Sequence, residues 1–177
     1  MRGLTLVELM VTVALLAMVL AIAAPQFSQW GRATRVTTQA ADLQSALAYA
    51  RSESQRRGVR VAICRTSAPT AVVPACHAAA SWAAGWLVFV DNVHIAGNVA
   101  GTIDGADTLL RIGEQAQNSA LAGVGNIDAW LAYSPQGLVR TVSGPVNGGF
   151  TICQAPHGRR ISVNPVGLIQ LTSETCI

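Results

Sequence analysis

Glu8 is the side chain whose chemistry most needs explaining. It is the only charge between Leu4 and Ala24, within the opening MRGLTLVELMVTVALLAMVLAIAAPQF. A charged side chain within a membrane-length segment costs a few kcal/mol on insertion scales, so such a residue, here close to the segment's start, marks a functional site by default. A carboxylate here calls for a cation, and the segment itself supplies none.

The other candidate chemistry is sparse. The four cysteines, Cys64, Cys76, Cys153 and Cys176, include no CxxC pair and have no histidine at zinc-ligand spacing, so no metal site is expected. An even count behind an apolar N-terminal segment points to disulfides in an oxidising compartment. Four cysteines allow three pairings. The sequence-local one, Cys64 with Cys76 and Cys153 with Cys176, is expected because each pair brackets a short excursion between strands. Each bridge contributes about 3 kcal/mol by restricting the unfolded chain.

His77, His94 and His157 have no matched acid and nucleophile around them. Cys76 and His77 are adjacent in sequence, which rarely brings a nucleophile onto its base. Asp104 and Asp107 in TIDGAD lack the twelve-residue ligand spacing of a calcium loop and suit turn-forming surface acids. GPVNGG lacks the lysine and helix of a phosphate loop. The expectation is a chain that is not an enzyme and holds no cofactor or metal.

Gly158, Arg159 and Arg160 in HGRR put two arginines side by side in sequence, and guanidinium groups can hold phosphates bidentately. A solvated strand start accounts for the same residues. Net charge is +3, and all 12 basic residues are arginine. Spread over 177 residues, that balance does not by itself mark a nucleic-acid binder.

The elements that must position these residues follow from composition and period. The chain is 51% hydrophobic and only 12% charged, which fits a membrane-attached protein. Residues 4–24 are long enough to cross a bilayer as a helix. A cleaved signal peptide would use Arg2 and the AIAA before Pro25, but Glu8 and the three-residue basic end argue against it, and the helical pattern continues past Pro25. Phe27, Trp30, Ala33, Val36, Ala40, Leu43, Leu47 and Ala50 recur at steps of three and four, predicting an amphipathic helix over 25–58 whose second half packs on its own domain and whose first half meets other subunits. Pro25 is expected to kink it, and RSESQRRG to end it with arginines and a glycine cap.

From Val59 the period changes to two. VRVAICR, WLVFVD, IDAWLAYS, LVRTV, GFTIC, RRISVN and GLIQLT predict strands, with LLRIG a weaker one and 92–107 a long loop. Strands after a single helix predict an α+β fold, with a long N-terminal helix packed on an antiparallel sheet head over 59–177.

Gly3 followed by LTLVEL, with Glu8 and Pro25 at their spacing, resembles the class III leader junction of type IV pilins and pseudopilins. The resemblance implies a leader of residues 1–3, cleavage between Gly3 and Leu4 by a prepilin peptidase, and N-methylation of Leu4. It also implies assembly roles for Glu8 and Pro25. In a filament of side-by-side helices each free N-terminus is a cation in an apolar bundle. A glutamate one turn along can then neutralise the amine of a neighbouring subunit.

The head, with ARSESQRRG, the Cys64 strand, GWLVFVD, Cys153, RRISVNPVG and Cys176, is similar to the GspH/FimT group of minor pilins and pseudopilins. That likeness implies a low-copy, single-pass inner-membrane subunit with a periplasmic head, which primes a type IV pilus or type II secretion pseudopilus and sits near its tip. Its partners would be other minor subunits, the major subunit, the peptidase and membrane lipid. Likeness to the FimT branch further implies DNA capture through a Gly-Arg-any-Arg pattern, which makes Arg159 and Arg160 possible DNA-binding residues, although this chain has GRRI there.

Overall fold

A computed structural model describes residues 5–116 and 118–176, without the side chains of 22–28. Helix α1 (Leu6–Arg57) is continuous for 52 residues, roughly 78 Å at the standard rise. Thr5 caps its start, its Oγ1 accepting the Glu8 N–H at 3.3 Å. Gly58 ends it in the left-handed region at φ 67°, with Arg56 and Arg57 in the last turn, where cations suit the helix dipole. The helix backbone runs through Pro25, whose side chain lies outside the described set, as do Gly3 and Leu4. Among the described residues no helix is long and apolar enough to cross a membrane. The span expected over 4–24 runs onto residues 4 and 22–24, which that description leaves out.

Only part of α1 meets the head. Val36, Ala40, Leu43, Ala46, Leu47 and Ala50 are buried, spaced as one stripe. The small residues let the sheet approach the helix closely. Trp30, in the same stripe, is 71% exposed. The head therefore covers the stripe from Val36 onward, its later part, and leaves Trp30 uncovered.

Among the described residues the head contains ten antiparallel-paired strands: β1 (Val61–Arg65), β2 (Trp86–Val90), β3 (Thr108–Gly113), β4 (Ala120–Gly125), β5 (Trp130–Tyr133), β6 (Val139–Thr141), β7 (Gly144–Pro145), β8 (Gly148–Gln154), β9 (His157–Val163) and β10 (Ile169–Thr175). They form two sheets, ordered β3-β2-β1-β5-β6-β7 and β10-β9-β8-β4. The fold is α+β, as the sequence indicated, with its strands divided between two sheets that share one helix. The core joins the α1 stripe to Ile63, Val88, Leu131 and Tyr133 of the first sheet and Phe150, Ile152 and Ile161 of the second.

A second, smaller core lies on the far face of the six-stranded sheet, where Ala62, Cys64, Leu87, Phe89 and Ala132 are covered by Cys76, Ile103, Leu109 and Trp130. The 92–107 loop supplies part of that cover. Its acids hold turns: Asp107 accepts N–H bonds from Asn92 at 2.8 Å and Asp104 at 3.3 Å, and Asp104 accepts from Val99 at 2.8 Å.

The end of α1 ties the sheets together. Arg51 donates to the carbonyls of Gly167 (2.9 Å) and Val166 (3.2 Å), and Ser54 donates to that of Ser134 at 3.1 Å. Between the two turns, the Val139 N–H reaches the Pro165 carbonyl at 2.9 Å.

Since the buried stripe begins at Val36, residues 30–177 expressed alone under oxidising conditions are expected to form a soluble, monodisperse domain by gel filtration. In that domain Leu47→Ala is expected to lower unfolding stability by about 2–5 kcal/mol, measured by urea denaturation.

Candidate functional site

The N-terminal part of α1 is apolar on every side that the structure describes. Leu6, Val7, Leu9, Met10, Val11, Val13, Leu15, Leu16, Met18, Val19 and Leu20 are all exposed. At about 100° per residue, these positions circle the helix axis rather than lining one face. Glu8 lies in the first turn, where the positive end of the helix dipole favours a carboxylate. Among the described residues no cation stands within ion-pair distance of it. A surface apolar all round is costly to leave in water, and this one carries an acid with no cation in reach among the described residues.

The possible DNA-binding arginines are both placed in β9, inside the strand rather than at a turn. Successive strand residues point to opposite faces of the sheet, so Arg159 and Arg160 are not brought together. Arg159 turns toward the helix, donating to Ser173 Oγ and, at 3.4 Å, to Thr37 Oγ1. Arg160 turns away and forms a two-pronged pair with Glu174, at 2.8 and 3.3 Å. That pairing raises the Arg160 pKa and lowers that of Glu174, chiefly through the shared hydrogen bond.

Gly158, preceding them, has a structural reason to be glycine. It pairs with Cys153 on one side and Glu174 on the other, and a Cβ there would run into the Cys176 sulfur. The disulfide Cys153–Cys176 straddles β9 at this point, and Cys64–Cys76 closes the loop after β1. Among the described residues no group of three or more His, Cys, Asp or Glu side chains is arranged to hold a metal.

Two charged clusters were not singled out by sequence reasoning. Glu53 accepts from Arg56 (2.9 and 2.7 Å) and from Arg57 (2.6 Å). The three-and-four spacing in ESQRR is the signal that could have found it. The hydrogen bonds from Arg56 and then Arg57 hold the Glu53 carboxyl at about 2, below its ordinary 4.5.

The second cluster is a buried pair, Arg60 Nε to Asp91 Oδ2 at 3.1 Å. The Arg60 guanidinium also lies 4.7 Å from the centre of the Trp130 ring, and Asp91 Oδ2 accepts the Gly101 N–H at 2.9 Å. Burial pushes the Asp91 pKa up against the opposing pull of that N–H and of Arg60, and pushes the Arg60 pKa down. This pair pins the long loop to the start of β1. Its partners lie 31 residues apart, a separation that carries no local pattern.

The comparisons with known proteins agree with this architecture. The model of the family described as type II transport protein GspH matches residues 39–167, and that of the prokaryotic N-terminal methylation motif matches residues 1–24. The chain belongs to the GspH family. Two crystal structures of the type IV minor pilin FimU from Pseudomonas aeruginosa (strain PAO1), in space groups P65 and P21, are similar to it at 21% identity each. They cover 80% and 81% of this chain and 99% and 96% of theirs, with TM-scores of 0.54 and 0.55. That likeness establishes a shared fold. No curated protein sequence matches the chain.

Glu53→Gln is expected to lower the melting temperature of the 30–177 domain above pH 4.5. The gap from wild type should close as pH falls toward about 2, because the depressed carboxyl contributes stability only while ionised. Gly158→Ala is expected to destabilise the domain by about 1–3 kcal/mol in urea denaturation, through overpacking beneath the disulfide.

Proposed function

We propose that this protein is a minor pilin or pseudopilin, a structural subunit that primes a type IV pilus or type II secretion pseudopilus and sits near its tip. The observation that carries the reading is α1 itself: one unbroken helix, packed on its own head from Val36, ringed by exposed apolar side chains from Leu6 to Leu20, and carrying at Glu8 an acid with no cation in reach among the described residues. Family membership and the methylation motif at residues 1–24 support it.

In this reading a prepilin peptidase cuts between Gly3 and Leu4 and the new N-terminus is methylated. The helix then holds the subunit in the inner membrane, with its head in the periplasm. The positive amine of Leu4 and the Glu8 carboxylate are each a poor fit to an apolar bundle when alone. Stacking one subunit against another, major or minor, pairs amine with carboxylate and relieves both mismatches in the correct axial register. Glu8 thus acts as a register mark for entry into the filament. Pro25 removes one backbone hydrogen bond from the helix, which gives it local freedom to bend as neighbours close around it.

Glu8→Ala is expected to leave the subunit in the membrane fraction while its recovery in sheared filaments drops at least about tenfold, the scale of losing a charge-assisted contact. Quantitative immunoblotting of both fractions measures this. Normal recovery in filaments would falsify the register role.

A further inference from the structure

Trp30, Arg32 and Arg35 do nothing visible for their own fold. Trp30 is 71% exposed. Arg32 and Arg35 are exposed, and among the described residues neither has an acidic partner within ion-pair distance. They are the only charged residues from Leu9 to Ala41.

Their axial position is informative. Because α1 is continuous, the 22 residues from Glu8 to Trp30 span roughly 33 Å along the axis. A tilt of about 25° brings that to the ~30 Å of one hydrocarbon layer. One rise-step pair further on stands Arg32, and one turn beyond that Arg35, at the depth of a phosphate layer.

Their angular position selects the occupant. At about 100° per residue, Arg32 and Arg35 point roughly to one side of the helix and Trp30 to the other. A neighbouring protein helix meets a stripe, whereas these residues encircle α1, as the surrounding lipid boundary does.

We propose that Trp30, Arg32 and Arg35 form an interfacial collar that seats the unassembled subunit in an anionic phospholipid leaflet. The proposal rests on the membrane reading given above and deepens it. The indole, with an apolar body and one N–H, sits at the edge of the hydrocarbon, and the two guanidinium groups bind headgroup phosphates. The lipid-crossing segment then runs from Glu8 to Trp30, in place of the 4–24 expected from hydropathy. Glu8 is left at the opposite boundary, where its carboxylate reaches interfacial water. The subunit is held at one depth by a polar group at each end of the span, and entry into a filament must draw both out of their seats.

The full-length protein reconstituted into vesicles of phosphatidylcholine and phosphatidylglycerol tests this. Flotation reports insertion, and lipids brominated either near the headgroup or near the chain end report the depth of Trp30, taken as the difference between wild type and Trp30→Phe. The expected result is flotation, with headgroup-proximal bromines quenching Trp30 at least about twofold more than chain-terminal ones. Flotation without lipid quenching of Trp30 overturns the collar and leaves the membrane reading standing. Failure to float overturns both. A quenching profile in the R32Q/R35Q variant identical to that of wild type overturns the phosphate contact.

Discussion

One helix here has to satisfy two solvents. From Val36 onward α1 carries an apolar stripe that two sheets cover, and its other faces meet water. From Leu6 to Leu20 exposed apolar side chains surround the helix, and among the described residues none of the head covers them. Leaving that surface in water costs about 25 cal/mol per Å², so an apolar covering stabilises it. Within a bundle of apolar helices the carboxylate at Glu8 would be the group least at ease, so its position constrains how such helices can stack.

The head is organised by the opposite end of the same helix. Arg51 and Ser54 hold turns from both sheets, so each sheet leans on a common rod. Glu53 gathers Arg56 and Arg57 where the chain leaves the helix, and Gly58 reverses it into β1. A force applied along α1, as in a filament, would therefore be shared by both sheets. The two disulfides close segments that reach farther from this hub: the loop after β1 and the C-terminus beside β9.

Buried charge plays a specifying part at the far side. Asp91 and Arg60 are withdrawn from water, and pairing offsets only part of that penalty. What the pair provides is placement: Asp91 also takes the Gly101 N–H, and Arg60 stacks over Trp130, so the 92–107 loop has one seat over the smaller core. A well-packed apolar substitute would lack that directional definition.

Much of this was legible in the residues. The three-and-four stripe, the Arg-Arg-Gly ending and the switch to a period of two located α1 and most of the strands, because each is a local pattern that a backbone repeats. β4 (ALAGVG) and β7 (GP) were not legible, since glycine and proline carry little strand preference and pairing alone makes them strands. In β4 the bare positions are needed: a Cβ on Gly123 would strike the Ile127 carbonyl. The identity of Glu8 as an isolated acid in an apolar run was set by sequence alone, because burial of charge is costly whatever the fold. Tertiary structure decided the division into two sheets, the separation of Arg159 from Arg160 and the Arg60–Asp91 pair. Each depends on which distant segments meet, and that is determined by packing across the whole core rather than by any neighbour along the chain.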